Sequence, residues 1–117
     1  PKDRCIAVLG GFDEMAGAPP VLRVSKSRFA RMRKRGPLTL SLFDGLDRSM
    51  AEWSHIGREP GDGEVWRLIF ASGGHQNELV FGPDKNGSWN VITVRPLRPA
   101  QYRKLKNASW MRSKEES

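Results

Sequence analysis

Six cations fall between Ser25 and Arg35 (SKSRFARMRKR) with no acidic residue among them. The apolar residues Phe29 and Met32 are spaced i, i+3, so the segment reads as a short helix opened by Ser25 as N-cap. Arg28, Arg31 and Arg35 recur at i, i+3, i+7 and share another face, with Lys34 beside Arg31. Cations held on one surface are what phosphate neutralisation needs, because affinity grows with each phosphate neutralised. Arginine adds the bidentate fork that suits phosphate oxygens. The helix holds no i+4 acid to pair with, so its charge is directed to solvent, to a polyanion or to an acidic protein.

A second candidate is the run Ser88 to Arg95 (SWNVITVR). Read as a regular strand, it places Trp89, Val91, Thr93 and Arg95 on one face and Asn90, Ile92 and Val94 on the other. Metal-free cleavage of RNA needs a base for the ribose 2′-OH, cations for the pentavalent phosphorane and an acid for the leaving 5′-oxygen. Arg95 suits the second role, and Thr93 can donate to a non-bridging oxygen. The bland alternative is a good strand former beside a surface cation. His75, in a glycine-flanked hairpin, is a candidate for proton transfer, and His55, at the predicted end of the second helix, is a weaker one. Arg67 interrupts an otherwise apolar strand. It must face the open side of the sheet or pair with a carboxylate such as Glu78. Glu52, Glu64 and Glu78 are candidate bases without a motif.

These residues need elements to hold them. Cys5 to Leu9 reads as a strand, and Gly10 to Pro20 as a mobile loop rich in Gly and Pro. Gly36-Pro37 stops the basic helix. A second helix is expected after a Thr39 or Ser41 cap, with Leu42, Phe43, Leu46, Met50 and Trp53 on its core face. His55 to Glu64 reads as a turn-rich connection. Three strands follow, Val65–Ser72, Glu78–Phe81 and Ser88–Arg95, joined by Ser72–Gln76 and by a Pro83–Gly87 turn in which Asn86-Gly87 supplies positive φ. Ala100 to Lys106 is expected to add a helical turn or two, and residues 109–117 to form a frayed tail that Trp110 could pin. The predicted class is α+β: two N-terminal helices packed on a small antiparallel meander, with an N-terminal edge strand, all in one domain spanning residues 1–117.

Bulk properties bound the function. The 117 residues carry 20 Lys and Arg against 13 Asp and Glu, a net charge of +7. That balance points to a polyanionic partner or to a domain that is simply basic. One cysteine excludes an internal disulfide and a Cys-rich zinc site, so neither metal nor cofactor is expected. No apolar run reaches membrane-span length and no signal-peptide core is evident, so the reading is a cytoplasmic protein without membrane contact. Leu9-Gly10-Gly11 lacks the third glycine and the helix of a dinucleotide fingerprint, and no P-loop or G-x-S-x-G appears. The oligomeric state is not legible.

The order VLRVSKSRFARMRKRG, LTLSLFDGLDRSMAEW, VWRLIF, ELVF and WNVITVRPL resembles the barnase–EndoU–colicin–RelE superfamily of small ribonucleases, in the form carried by phage proteins and bacterial polymorphic toxins. The likeness runs from Val21 to Leu97. It implies a metal-independent endoribonuclease, often directed at tRNA, paired with an acidic immunity or antitoxin protein. Ser25 matches the helix cap, Thr93 the strand-end hydroxyl and Arg95 the neighbouring cation. Many relatives place a His near the end of the first helix, where this chain has Lys34 and Arg35. The resemblance therefore admits proton transfer without that His or a descendant that no longer cleaves. The expected site is Arg95, Thr93, His75 and Arg35 for catalysis, with Arg28, Arg31, Lys34 and Arg67 gripping RNA. The alternative from another class is a module that binds nucleic acid or a partner without catalysis.

Overall fold

The computed structural model describes residues 5–9, 22–37, 41–42, 45–61 and 64–116. Their order is β1 (Cys5–Leu9), β2 (Leu22–Ser25), α1 (Lys26–Lys34), α2 (Leu46–Ala51), β3 (Trp53–Arg58), β4 (Trp66–Ser72), β5 (His75–Pro83), β6 (Trp89–Pro96), α3 (Pro99–Lys106), β7 (Met111–Ser113) and a 3₁₀ turn over Lys114–Glu116. The fold is α+β. One seven-stranded sheet runs β1-β2-β6-β5-β4-β3-β7.

The sheet is larger and more mixed than a meander. Strands β3 to β6 pair antiparallel in chain order, but β2 lies parallel to β6, with Arg23 opposite Asn90. The N-terminal strand β1 is an edge, as expected. The helices do not begin the chain, because β1 and β2 precede α1. The expected loop over Gly10–Pro20 falls on residues outside those described, as do Thr39 and Phe43 of the second helix. That helix is shorter than its apolar stripe suggested. It ends at Ala51, and Trp53 opens a strand instead.

Strand β3 replaces the predicted turn-rich connection. Trp53 and Ile56 are buried in the core, but Ser54 forms a bulge between Trp53 and His55. The bulge breaks the alternation that marks a strand. Gly57 lies in the strand for close packing: a Cβ there would stand 2.4 Å from the Trp110 carbonyl oxygen. The tail is not frayed either. Met111–Ser113 pairs with β3 as the opposite edge of the sheet.

Local chemistry explains α1. Ser25 is extended, and its Oγ accepts from Arg28 N at 3.2 Å. Arg31, Arg33 and Lys34 occupy the last turn, where cations oppose the helix dipole. Gly36 follows at φ +109, a conformation costly for residues with a Cβ. Ser25→Ala should cost about 1 kcal/mol, read as a lower urea midpoint at unchanged slope.

Two apolar clusters cover the two sheet faces. Met32, Leu42 and Leu46 pack with Leu68, Phe70, Leu79, Phe81, Val91 and Val94 on one face. On the other, Ile69, Leu97 and Met111 meet Tyr102, Leu105 and Trp110 of the C-terminal segment. The first cluster is the main core. The second leaves part of its sheet face open, and the charged residues lie there.

Candidate nucleic-acid groove

Strand alternation decides which side chains reach the open face. From the register, Gly57, Arg67, Ile69, Glu78, Val80, Thr93 and Arg95 lie opposite the main core. A bulge corrects the predicted faces of β6. Val80 opposes Thr93 while Phe81 opposes Val91, which makes Ile92 an extra residue. Trp89, Val91 and Val94 therefore turn to the core, and Thr93 and Arg95 part from Val91 to share the open face.

Helix α1 continues past the end of β2 and packs against β2 and β6. Met32 enters the core while Arg28, Arg31, Lys34 and Arg35 stay at least partly exposed. At its C-terminal end Arg35 Nη1 donates to Thr93 Oγ1 at 2.6 Å. At its N-terminal end Arg28 lines a hollow with Ser25, Gly82, Asp84, Asn90 and Ile92. The cationic ridge thus borders β6 from Asn90 to Thr93, and Arg95 lies one pleat further on. Asn90 to Arg95 spans roughly 16 Å at the rise of a strand.

Asp84 fixes the far end of this border. Its Oδ1 accepts from Asn86 N at 2.8 Å and Ser88 N at 3.0 Å, and its Oδ2 accepts from Asn90 Nδ2 at 3.1 Å. Burial works against the charged form, but these bonds and the nearby Arg23 outweigh it and hold the carboxyl below its ordinary range.

Beyond Arg95 a row of alternating charges crosses three strands. Arg95 Nε donates to Glu78 Oε1 at 2.8 Å, and Arg67 Nη1 to Glu78 Oε2 at 3.0 Å. Arg67 also donates from Nε to Glu59 Oε2 at 3.0 Å, with its Nη2 at 2.9 Å from the same oxygen. The Glu78 side chain is 2% exposed, against 43% for Arg95. Burial opposes the Arg67 charge, yet the attraction of Glu78 and the bonds to Glu59 and Glu78 prevail and raise its pKa above the ordinary value. Both predicted options for Arg67 hold at once: it faces the open side of the sheet and it pairs with Glu78.

The row floors a cavity of about 430 Å³ closed on one side by α3. Lys104 lines it together with Arg95 and Glu78. Arg95 spends only Nε on protein, so its terminal Nη pair is open to a ligand among the described residues.

The expected residues are not all brought together. Thr93, Arg95 and Arg67 share the open face, Arg35 reaches Thr93 from the end of α1, and Arg28 lies at the far border. His75 does not join them. Its place two residues before the buried Asn77 puts it on the opposite face, and it begins β5 beyond the level of Arg95. His55 lies in β3, where its Nδ1 is 2.8 Å from Ser54 Oγ. Two groups were not singled out from sequence: Glu59 and Lys104 become neighbours only when α3 folds back over the sheet. Glu78 was named there as a candidate base and as an acid for Arg67, although it carries no motif. The one available signal for Glu78 was Arg67, a buried-strand cation that required a carboxylate. Among the described residues no group of three His, Cys, Asp or Glu is placed to hold a metal ion, and no helix is long and apolar enough to cross a membrane.

Comparison with protein-family models, curated proteins and solved structures finds no match to this chain.

Proposed function

We propose that the chain is a metal-independent endoribonuclease whose substrate backbone lies along α1 and β6. The observation that carries this reading is the Arg35–Thr93 hydrogen bond, which joins the cationic ridge to the strand bearing Arg95. A phosphate held at that junction meets Arg35, Thr93 and the free Nη atoms of Arg95 together. Donors fixed in advance around a developing negative charge are the main source of catalytic stabilisation in such sites.

The proton transfers follow from the neighbouring row. Glu78 keeps one lone pair on each oxygen beyond those given to the arginines. As general base it takes the 2′-OH proton, and the 2′-oxygen attacks phosphorus. The P–O5′ bond breaks with transfer of a proton from Lys104 to the leaving oxygen. The products are a 2′,3′-cyclic phosphate and a 5′-hydroxyl. Arginine keeps its protons, so Arg35, Arg67 and Arg95 act as electrostatic groups only. The cytoplasm of a producing or target cell is the setting in which such an activity finds RNA, and the same basic groove suits an acidic inhibitor protein.

One observation favours a second reading, a module that binds RNA without cutting it: each Glu78 oxygen already accepts from a guanidinium, so a 2′-OH must share either oxygen with an arginine. The test is incubation with total RNA in EDTA, with end-group analysis. Fragments ending in 2′,3′-cyclic phosphate are expected, and Arg95→Ala or Arg35→Ala should slow their formation about 100-fold or more with the fold intact by circular dichroism. Intact RNA that is nevertheless bound, more weakly as salt rises, would leave only the binding module.

A further inference from the structure

We propose that the RNA is gripped on one side of the cut only: the phosphates next to the scissile one lie along α1, and the chain beyond Arg95 leaves the protein. This deepens the ribonuclease reading and rests on it for the scissile phosphate at Arg35, Thr93 and Arg95.

Two contacts align α1 with β6. Arg28 lines a hollow with Asn90 and Ile92, and Arg35 bonds Thr93. The step from Arg28 to Arg35 rises about 10 Å along a helix. The step from Asn90 to Thr93 rises about 10 Å along a strand. The matched lengths make one strip. Arg31 shares the helix face of Arg28 and Arg35 and is exposed. Neither Arg28 nor Arg31 forms an ion pair among the described residues. A stacked nucleic-acid strand carries one phosphate for each ~3.4 Å of axis, so the strip holds about two or three phosphates beside the scissile one.

Acids close the strip at both ends. Asp84, bonded to Asn86, Ser88 and Asn90, also lines the hollow that holds Arg28. Between the ends, neither α1 nor β6 contains an acid. Past Arg95 come Glu78, Arg67 and Glu59, bonded one to the next, so the row from Arg95 to Glu59 is neutral as a whole. Lys104 adds a single cation on that side. Affinity for a polyanion grows with the phosphates that cations neutralise. A further phosphate beyond Arg95 would lie against two carboxylates, whereas one beside Arg31 meets no acid of α1 or β6. The scissile position therefore stands at one end of the track and not at its middle.

The substrates are oligonucleotides with a single ribose in a 2′-deoxy chain, which fixes the cut at one phosphate. Deoxynucleotides are added stepwise on the 5′ or on the 3′ side, and kcat/KM is measured for each in EDTA. Addition on one side should raise kcat/KM at least about tenfold, and addition on the other less than about twofold. Neutral methylphosphonates in the added links should abolish the gain. The variant Arg28→Ala with Arg31→Ala should hold the gain below about threefold, and lysine at both positions should restore most of it. Arg103→Ala removes an exposed cation of α3 and should leave the gain in place. Equal gains on both sides or none on either, a gain kept by methylphosphonates or by the double alanine variant, or an equal loss with Arg103→Ala overturns the one-sided grip and leaves the nuclease standing. If no oligonucleotide is cut, the nuclease reading falls and this inference falls with it.

Discussion

Gly57→Ala should lower the thermal midpoint by about 10 °C, an effect no other single methyl added to a described glycine should match. A Cβ at Gly57 would stand 2.4 Å from the Trp110 carbonyl oxygen, 2.8 Å from Trp110 Cε3 and 3.0 Å from Met111 Cα. Two of these three are backbone atoms, so no side-chain rotation relieves the contact. The strands must separate instead, and β7 holds to β3 by only three residue pairs. Overpacking of this kind costs up to about 3 kcal/mol, which for a chain of this size shifts the midpoint by about 10 °C. Gly82→Ala is the control. It also sits within a strand, and its Cβ would meet nothing closer than 3.4 Å. A thermal melt followed by far-UV circular dichroism checks both. A shift under 3 °C for Gly57→Ala would mean that the C-terminal segment rests on the sheet more loosely than its contacts imply. Because Trp110 and Leu105 line the cavity, the same variant should also weaken any ligand held there.

Gly57 also shows where sequence reasoning loses its grip. A glycine followed by Arg58, Glu59, Pro60 and Gly61 carries every mark of a turn, and Ser54 interrupts the period-2 pattern upstream. Only the partner strand reveals that this glycine exists for close approach. The parallel pairing of β2 with β6 was hidden for a related reason: a four-residue strand has no local mark of its partner, some 65 positions away. What local chemistry writes plainly was legible. Gly73 and Gly74 both take positive φ between β4 and β5, Gly87 does so between β5 and β6, and Ser25 caps α1. The same division runs through the site. The cations of α1 and the need of Arg67 for an acid were readable from residue type and spacing. The faces of Thr93 and His75 depended on counting pleats, and one extra residue at Ile92 was enough to spoil the count. Glu59, Lys104 and Trp110 come together only through tertiary closure of the C-terminal segment, which no spacing announces.

Arg67→Met should destabilise the protein by about 2–4 kcal/mol, and adding Glu78→Leu should return much of that loss. Removing one member of a buried ion pair leaves the other charge without compensation, which typically costs 3–5 kcal/mol. Glu78 is 2% exposed and would keep only Arg95, whose side chain is 43% exposed and shares its charge with water, so the lower part of that range applies. Glu59 loses its partner too, but its side chain is 34% exposed and rehydrates. In the double variant no buried charge remains. Apolar replacements of similar volume are commonly neutral there, because desolvation of the original pair had offset most of its attraction. Urea unfolding of the two single variants and the double variant closes the cycle, with a coupling between the sites expected to exceed about 1 kcal/mol. A double variant no more stable than Arg67→Met would show that the ion pairs hold this part of the sheet together. If stability returns while RNA cleavage does not, the row of charges is retained for chemistry and not for folding. The stability of the native chain then includes a standing cost for keeping an ionised carboxylate out of water, between two guanidinium groups and at the floor of a cavity.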